Sequence, residues 1–387
     1  MNTVVTPSLY CPFPTKVNEH IKQAEQHTNE WVIKFNLLQN ESAYKNFYAA
    51  KFFELAAYFF PDAPFEEFKI VTDWSSWVFI WDDQCDMLNL GQNPDLLKIY
   101  QTRLLEVLKG YQPNHGDIPL AWALKDIRDR ILAKASKPWF CTFIRVVEDY
   151  FNACIWEANN RMRKQIPGVD IYIEKRVDTG AAYTIFKLLE FTQQIFLPEA
   201  IQEHFFVKEL AKIANNVICW SNDIFSLHRE MKQGDVHNLV LAIKNEQRLS
   251  LDQAIKEAAR LHNTEAQSFL DLEANLPKFG EEIDAKLRSY ILGLRYCIGG
   301  NLDWSAHTYR YQTNAKGFLQ ATAIVNPSLK TSQTASKSDK NLLISHRKFV
   351  SQNSNKIVSK SDKNLLPKFE QILEVSNEVS KVSPVVP

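Results

Sequence analysis

The sequence predicts an all-α fold, on three observations. Apolar residues recur at helical spacing almost without interruption from about 18 to 318. Period-2 alternation of β-branched residues, the pattern of a half-buried strand, is hard to find. Glycine is rare, 11 among 387 residues, against a usual share of about 7%, so there are few places where the backbone is freed. With 45% hydrophobic and 12% aromatic residues, the chain can bury a large core. A single helical domain over 18–318, of roughly ten or more helices, is the expectation.

The elements follow in order. Pro7, Pro12 and Pro14 keep residues 1–17 extended, with Tyr10 and Phe13 available to pack onto the body. Helical patterns are clearest over 120–133, 142–163 and 201–231. Breaks are expected at Pro61-Asp62-Ala63-Pro64, Pro113-Asn114-His115-Gly116, Pro167-Gly168 and Gly299-Gly300. After about 319 the composition shifts to Ser, Lys and Asn, and the stretch 337–343 recurs as 360–366. A disordered tail over 319–387 is expected, with a short helix near 367–379.

Lys plus Arg and Asp plus Glu both number 45. This zero net charge argues against nucleic-acid binding through bulk positive charge. The N-terminus lacks a charged and then apolar leader, and apolar runs such as 77–81 are too short to span a bilayer. The six cysteines form no CxxC and no zinc spacing with a His, so scattered buried thiols in a reducing cytosol are expected.

Two polar clusters interrupt this apolar pattern. In Phe79-Ile80-Trp81-Asp82-Asp83-Gln84-Cys85-Asp86, three acids fall at i, i+1 and i+4 of a helix. Phe79 lies on the same side one turn earlier, above the small Ser75 and Ser76. Crowded carboxylates raise one another's pKa. A hard divalent cation such as Mg²⁺ keeps them ionised and leaves positions open for phosphate oxygens. The alternative is a solvated acidic helix end. In Asn222-Asp223-Ile224-Phe225-Ser226-Leu227-His228-Arg229-Glu230, the residues Asn222, Ser226 and Glu230 are spaced i, i+4, i+8 and form an oxygen-only stripe. Arg229 adds a cation for phosphate. The alternative here is local hydrogen bonding by Asn and Ser, with Glu in solvent.

Together these clusters make the chain resemble the class I terpene synthases of bacterial, single-domain type. Asp82, Asp83 and Asp86 fit the family's DDxxD motif, and Asn222, Ser226 and Glu230 fit its (N/D)Dxx(S/T)xxxE motif. Arg176, 46 residues before Asn222, fits the arginine that senses pyrophosphate, and Gly180 the effector position at a helix break. Arg310-Tyr311 fits the C-terminal Arg-Tyr pair. The resemblance covers about 18–318 and leaves out the tail. Arg229 stands where the family often has Lys.

The resemblance implies a helical bundle around an active-site cavity and a cytoplasmic enzyme. Three Mg²⁺ ions would sit between Asp82, Asp83 and Asp86 on one helix and Asn222, Ser226 and Glu230 on the other. Arg176, Arg229, Arg310 and Tyr311 would bind the diphosphate of an isoprenyl substrate, with farnesyl diphosphate expected. Phe79 and Trp304 would face the carbocation, as would the Gly180 carbonyl. Gly299-Gly300 and the segment to Arg310 would belong to a lid. Plain core for Phe79 and Trp304, a helix stop for Gly180 and a surface ion pair for Arg176 remain open at this point. The rivals are a chain-elongating prenyltransferase of the same fold, which would carry a second DDxxD, and an inactive helical binding protein.

Overall fold

Fourteen α-helices and no strand make up the described residues. The computed structural model of the protein describes residues 7–87 and 90–311, and of Asp86 and Met87 the backbone only. The expected tail over 319–387, its repeat and its short helix lie outside these residues. The helices are α1 Ile21–Lys34, α2 Glu41–Ala50, α3 Phe52–Phe59, α4 Phe65–Met87, α5 Pro94–Lys109, α6 Pro119–Leu132 and α7 Lys137–Arg163. They continue as α8 Val169–Thr179, α9 Ala182–Gln193, α10 Glu199–Gln202, α11 Phe205–Gln233, α12 Leu239–Gln247, α13 Leu251–Ala274 and α14 Glu281–His307.

Local chemistry sets many of the ends. Asn40, Asn93, Ser136, Asn238 and Ser250 each accept a backbone N–H from the first turn of the helix that follows. Proline occupies the first turn of α5, α6 and α7, where its missing N–H costs nothing. Gly110 and Gly234 end α5 and α11 in the left-handed region, at φ of 117° and 75°.

One face of α4 is fully buried. Phe68, Val71, Trp74, Trp77 and Trp81 recur at three- and four-residue spacing and are 0–1% exposed. The three indoles stack along the helix, with centroids 5.5 Å and 6.2 Å apart. Two of them tie α4 to its neighbours: Trp74 Nε1 donates to Thr184 Oγ1 at 2.9 Å and Trp77 Nε1 to the Leu120 carbonyl at 2.9 Å. A second core, with Tyr172, Trp220 and Leu239 at its centre, lies between α8, α11, α12 and α13.

The expected segments 120–133 and 142–163 fall within α6 and α7. The stretch 201–231 is not continuous: the chain leaves the helix at Glu203-His204 and restarts as α11. Residues 7–17 are free of helix, with Leu9 and Phe13 buried. Gly299-Gly300 corrects the sequence reading. Both lie inside α14 and are buried, so they form no break and no lid. A Cβ on Gly299 would meet the Pro14 carbonyl at 2.6 Å, and one on Gly300 would run into Tyr58. Glycine is needed there for the close approach of the N-terminal segment and α3.

Candidate active site

A cavity of about 180 Å³ opens between α4, α7, α8, α9, α11 and the turn after α14. α4 offers Ser75, Val78, Phe79 and Asp82, one stripe of a helix read every three or four residues. α11 offers Ile218, Cys219, Asn222, Ser226 and Glu230 in the same way. Leu55, Phe59, Ile185 and Phe186 add to the apolar lining, and Arg161, Arg176, Arg229, Arg310 and Tyr311 are among its polar residues. Helical period aligns each motif along one stripe, and the packing of the bundle brings the two stripes to one space.

The acidic motif is already engaged. Asp83 takes a two-pronged contact from Arg310, at 3.0 Å and 2.9 Å, and a third bond from Arg229 at 2.9 Å. Arg310 also reaches Asp82 at 3.5 Å. Burial alone would raise the Asp83 carboxyl, but the two guanidinium groups outweigh it and hold it below the usual range. Burial and then the Asp83 charge raise Asp82. Its side chain is still 55% exposed to the cavity, where solvent tempers that effect. The Asp86 side chain lies outside the described residues.

On α11, Asn222 is bonded at both ends of its amide. Its Oδ1 accepts from Arg176 at 3.1 Å and its Nδ2 donates to the Tyr311 hydroxyl oxygen at 2.6 Å. Ser226 Oγ is buried without a well-formed hydrogen bond, though close enough to Glu230 to favour its charged form. Burial pushes the Glu230 carboxyl up to about 8, and the charges of Asp223 and Asp235 add to this. An unpartnered hydroxyl next to a carboxylate that gains by meeting positive charge is the chemistry of a cation ligand set. Among the described residues no three acidic, His or Cys side chains converge on one point. The oxygen donors are instead divided between two helices. Asp82, Asp83, Asn222, Ser226 and Glu230 thus fit divalent metal through hard oxygens.

Arg176 is in an ion pair, though not at the surface. Its Nε and Nη2 meet Asp223 Oδ1 at 3.1 Å and 2.9 Å, with the two side chains 13% and 1% exposed. Burial works against the guanidinium charge, and Asp223 more than restores it. The sequence reading did not single out Asp223, which also accepts from Tyr172 Oη at 2.5 Å and from the Leu239 N–H at 3.0 Å. Tyr172 lies four residues before Arg176 on the same face of α8, a spacing that could have revealed it. Asn238, whose Nδ2 donates to Glu230 Oε2 at 2.8 Å, had no such signal.

Gly180 lines the cavity at the α8–α9 break, but the left-handed residue there is Ala181, at φ 55°. Gly180 itself is right-handed, and a Cβ on it would collide with Cys219 Sγ. The absence of a side chain is needed for packing on α11 rather than for stopping a helix. Phe79 lines the cavity and stacks on Phe52 at 4.1 Å, with the Arg310 guanidinium 5.1 Å from its ring. Trp304 does not meet the expectation. It is 0% exposed and absent from the wall, and its Nε1 donates to the carbonyls of Ala50 and Lys51, both at 3.2 Å. It backs Phe79 at 5.9 Å.

Comparison with known proteins agrees with this geometry. Residues 73–268 match the family model described as terpene synthase family 2, C-terminal metal binding. The chain is 45% identical over 311 residues to a germacrene A synthase of Nostoc punctiforme, covering 80% of this chain and 96% of that one. It is 36% identical to a (+)-T-muurolol synthase of Roseiflexus castenholzii, over 80% and 94% of the two chains. The fold matches the crystal structure of germacradien-4-ol synthase from Streptomyces citricolor, with a TM-score of 0.69 at 23% identity, over 77% of this chain and 98% of that one. A family match across half the chain, and a relative aligned along almost its whole length, make this protein a metal-binding member of the terpene synthase family.

Proposed function

We propose that the protein ionises and cyclises farnesyl diphosphate to a sesquiterpene, releasing pyrophosphate. The observation that carries this is the cavity itself. Two oxygen-bearing helix stripes and four arginines line one space together with apolar and aromatic side chains. A diphosphate head and a hydrocarbon tail need these two environments side by side. The relatives' names, germacrene A synthase and (+)-T-muurolol synthase, support a sesquiterpene product. Neither rival gains an observation of its own: α11 carries the Asn-Ser-Glu stripe where an elongating enzyme would carry a second DDxxD, and the donor residues are intact.

Mg²⁺ is the cation the oxygen donors suit, with three ions expected from the family resemblance; bound, it would neutralise the diphosphate and make it a better leaving group. Asp82, Asp83 and Asp86 would hold it from α4, and Asn222, Ser226 and Glu230 from α11. Arg176, Arg229, Arg310 and Tyr311 would donate to diphosphate oxygens and orient the head. The allylic C–O bond then breaks with its electron pair leaving on oxygen. Phe79 offers a ring face to the cation that remains, and the Gly180 carbonyl a dipole. The apolar wall keeps water from quenching it.

The test is incubation of the purified protein with Mg²⁺ and geranyl, farnesyl or geranylgeranyl diphosphate in parallel. Pyrophosphate release and gas chromatography of the volatiles are the readouts. Cyclic C15 products from farnesyl diphosphate are expected, and Asp82→Asn should slow release at least about tenfold, or 1.4 kcal/mol in the barrier. Elongated diphosphates would identify a prenyltransferase, and no turnover of any substrate would leave a binding protein.

A further inference from the structure

We propose that Asn238 is a positioning residue that aims the Glu230 carboxylate, an inference resting on the reading of Glu230 as a metal ligand. Asn238 is 0% exposed and spends every polar atom of its side chain. Its Nδ2 donates to the Asp223 carbonyl at 2.7 Å and to Glu230 Oε2 at 2.8 Å. Its Oδ1 accepts from the Val240 N–H at 2.8 Å and so caps α12. One amide thus bridges two turns of α11 to the start of the next helix.

The segment that delivers it is itself held. Asp235 N–H donates to the Glu230 carbonyl at 2.9 Å. The Asp235 carboxylate takes Arg161 of α7 at 3.0 Å and 2.9 Å and its own Val236 N–H at 2.7 Å. Leu239 N–H then closes onto Asp223 at 3.0 Å. The return from α11 to α12 is therefore fixed at both ends, and Asn238 cannot follow Glu230 if that side chain swings.

Chemistry favours an amide here. Asp223, Glu230 and Asp235 already place three carboxylates around this return. A neutral N–H donor stabilises one of them without adding charge or competing as a second cation. A carboxylate gripped at Oε2 no longer turns freely about its last bond, so Oε1 is presented in one direction. Partners of this kind, removed from other metal sites, cost about 10–100-fold in metal affinity.

Two substitutions separate the brace from the helix cap. Asn238→Ser keeps a short acceptor for Val240 N–H and cannot reach Glu230. Asn238→Asp keeps the cap and replaces the N–H donor with an oxygen. Binding of magnesium chloride with inorganic pyrophosphate is measured by calorimetry, alongside the Mg²⁺ concentration for half-maximal turnover and the melting temperature. The expected result is a folded protein whose affinity falls about 10–100-fold, with turnover partly restored by added Mg²⁺. Glu230→Gln combined with Asn238→Ser should be no worse than Glu230→Gln alone. Wild-type affinity in Asn238→Ser beside an impaired Glu230→Gln overturns the brace alone, and so do additive losses in the double variant. Wild-type affinity in Glu230→Gln overturns the ligand reading and the brace with it. Failure of both Asn238 variants to fold makes the residue a structural cap and also overturns the proposal.

Discussion

Phe79 and Trp304 pack on each other and share Phe52 as a neighbour, yet differ in what they face. Phe79 borders the cavity, whereas Trp304 is sealed behind it with its N–H spent on α2–α3 carbonyls. Phe79→Ala removes a contact worth roughly 0.5–2 kcal/mol to a cation, enough to change a product ratio about tenfold. Pyrophosphate release should stay within about tenfold of wild type, while the volatiles shift toward acyclic or hydroxylated terpenes on gas chromatography. Trp304→Phe should instead lower stability by about 1–3 kcal/mol in urea titration, through lost hydrogen bonds and a small void. Its product profile should not move. Trp304 was misread because nearness in sequence to Arg310-Tyr311 stood in for nearness in space, and α14 ends at His307 between them.

At the scale of elements, α11 joins most of the site. It carries Asn222, Ser226 and Glu230, anchors Arg176 through Asp223, and presses Cys219 against the α8–α9 break. The donor motifs were legible because their spacing is a property of one helix. Asp223, Asn238 and the Gly180–Cys219 contact were not, because each is defined by a partner on another element. Gly180→Ala should cost about 1–3 kcal/mol of overpacking and reduce turnover; adding Cys219→Ala should restore much of both, and an unrescued double variant would sink the contact as the cause. α13 carries a buried titratable group that does not line the cavity. His262 is 1% exposed, and burial pulls its imidazole down from 6.5 to about 4. As pH falls, the unfolded chain takes up this proton before the folded one. Stability from this residue is full above about pH 6.5 and is lost toward about pH 4, by roughly 3 kcal/mol. Urea midpoints across that range should fall more steeply in wild type than in His262→Gln.

Across the whole molecule, the all-α class and most helix breaks were legible, since periodicity and proline act locally. The inner position of Gly299-Gly300 was not, because the close approach of Pro14 and Tyr58 comes from distant sequence. The relatives align over about 80% of this chain but over 94–96% of their own lengths. A variant lacking 330–387 should therefore keep its product profile and release pyrophosphate at a rate within a few-fold of wild type, about 1 kcal/mol or less in the barrier. An insoluble or inactive product would show that the removed residues serve the folded body.

The fork at Asp83 has a consequence of its own. Residues 83, 229 and 310 come from three distant parts of the chain, and both arginines spend hydrogen-bond donors on one carboxylate. Under the proposed function, an entering diphosphate would meet arginines partly engaged at Asp83, one donor of Arg229 and two of Arg310, so its binding would be in part an exchange of one anion for another. Metal-free diphosphate would gain only the difference between two similar partners and would leave Asp83 uncompensated beside Asp82. A ligand arriving with its own cation would give Asp82 and Asp83 a counter-charge in place of the arginines. If Arg229 and Arg310 bind diphosphate as proposed, the fork would favour the metal complex over bare diphosphate.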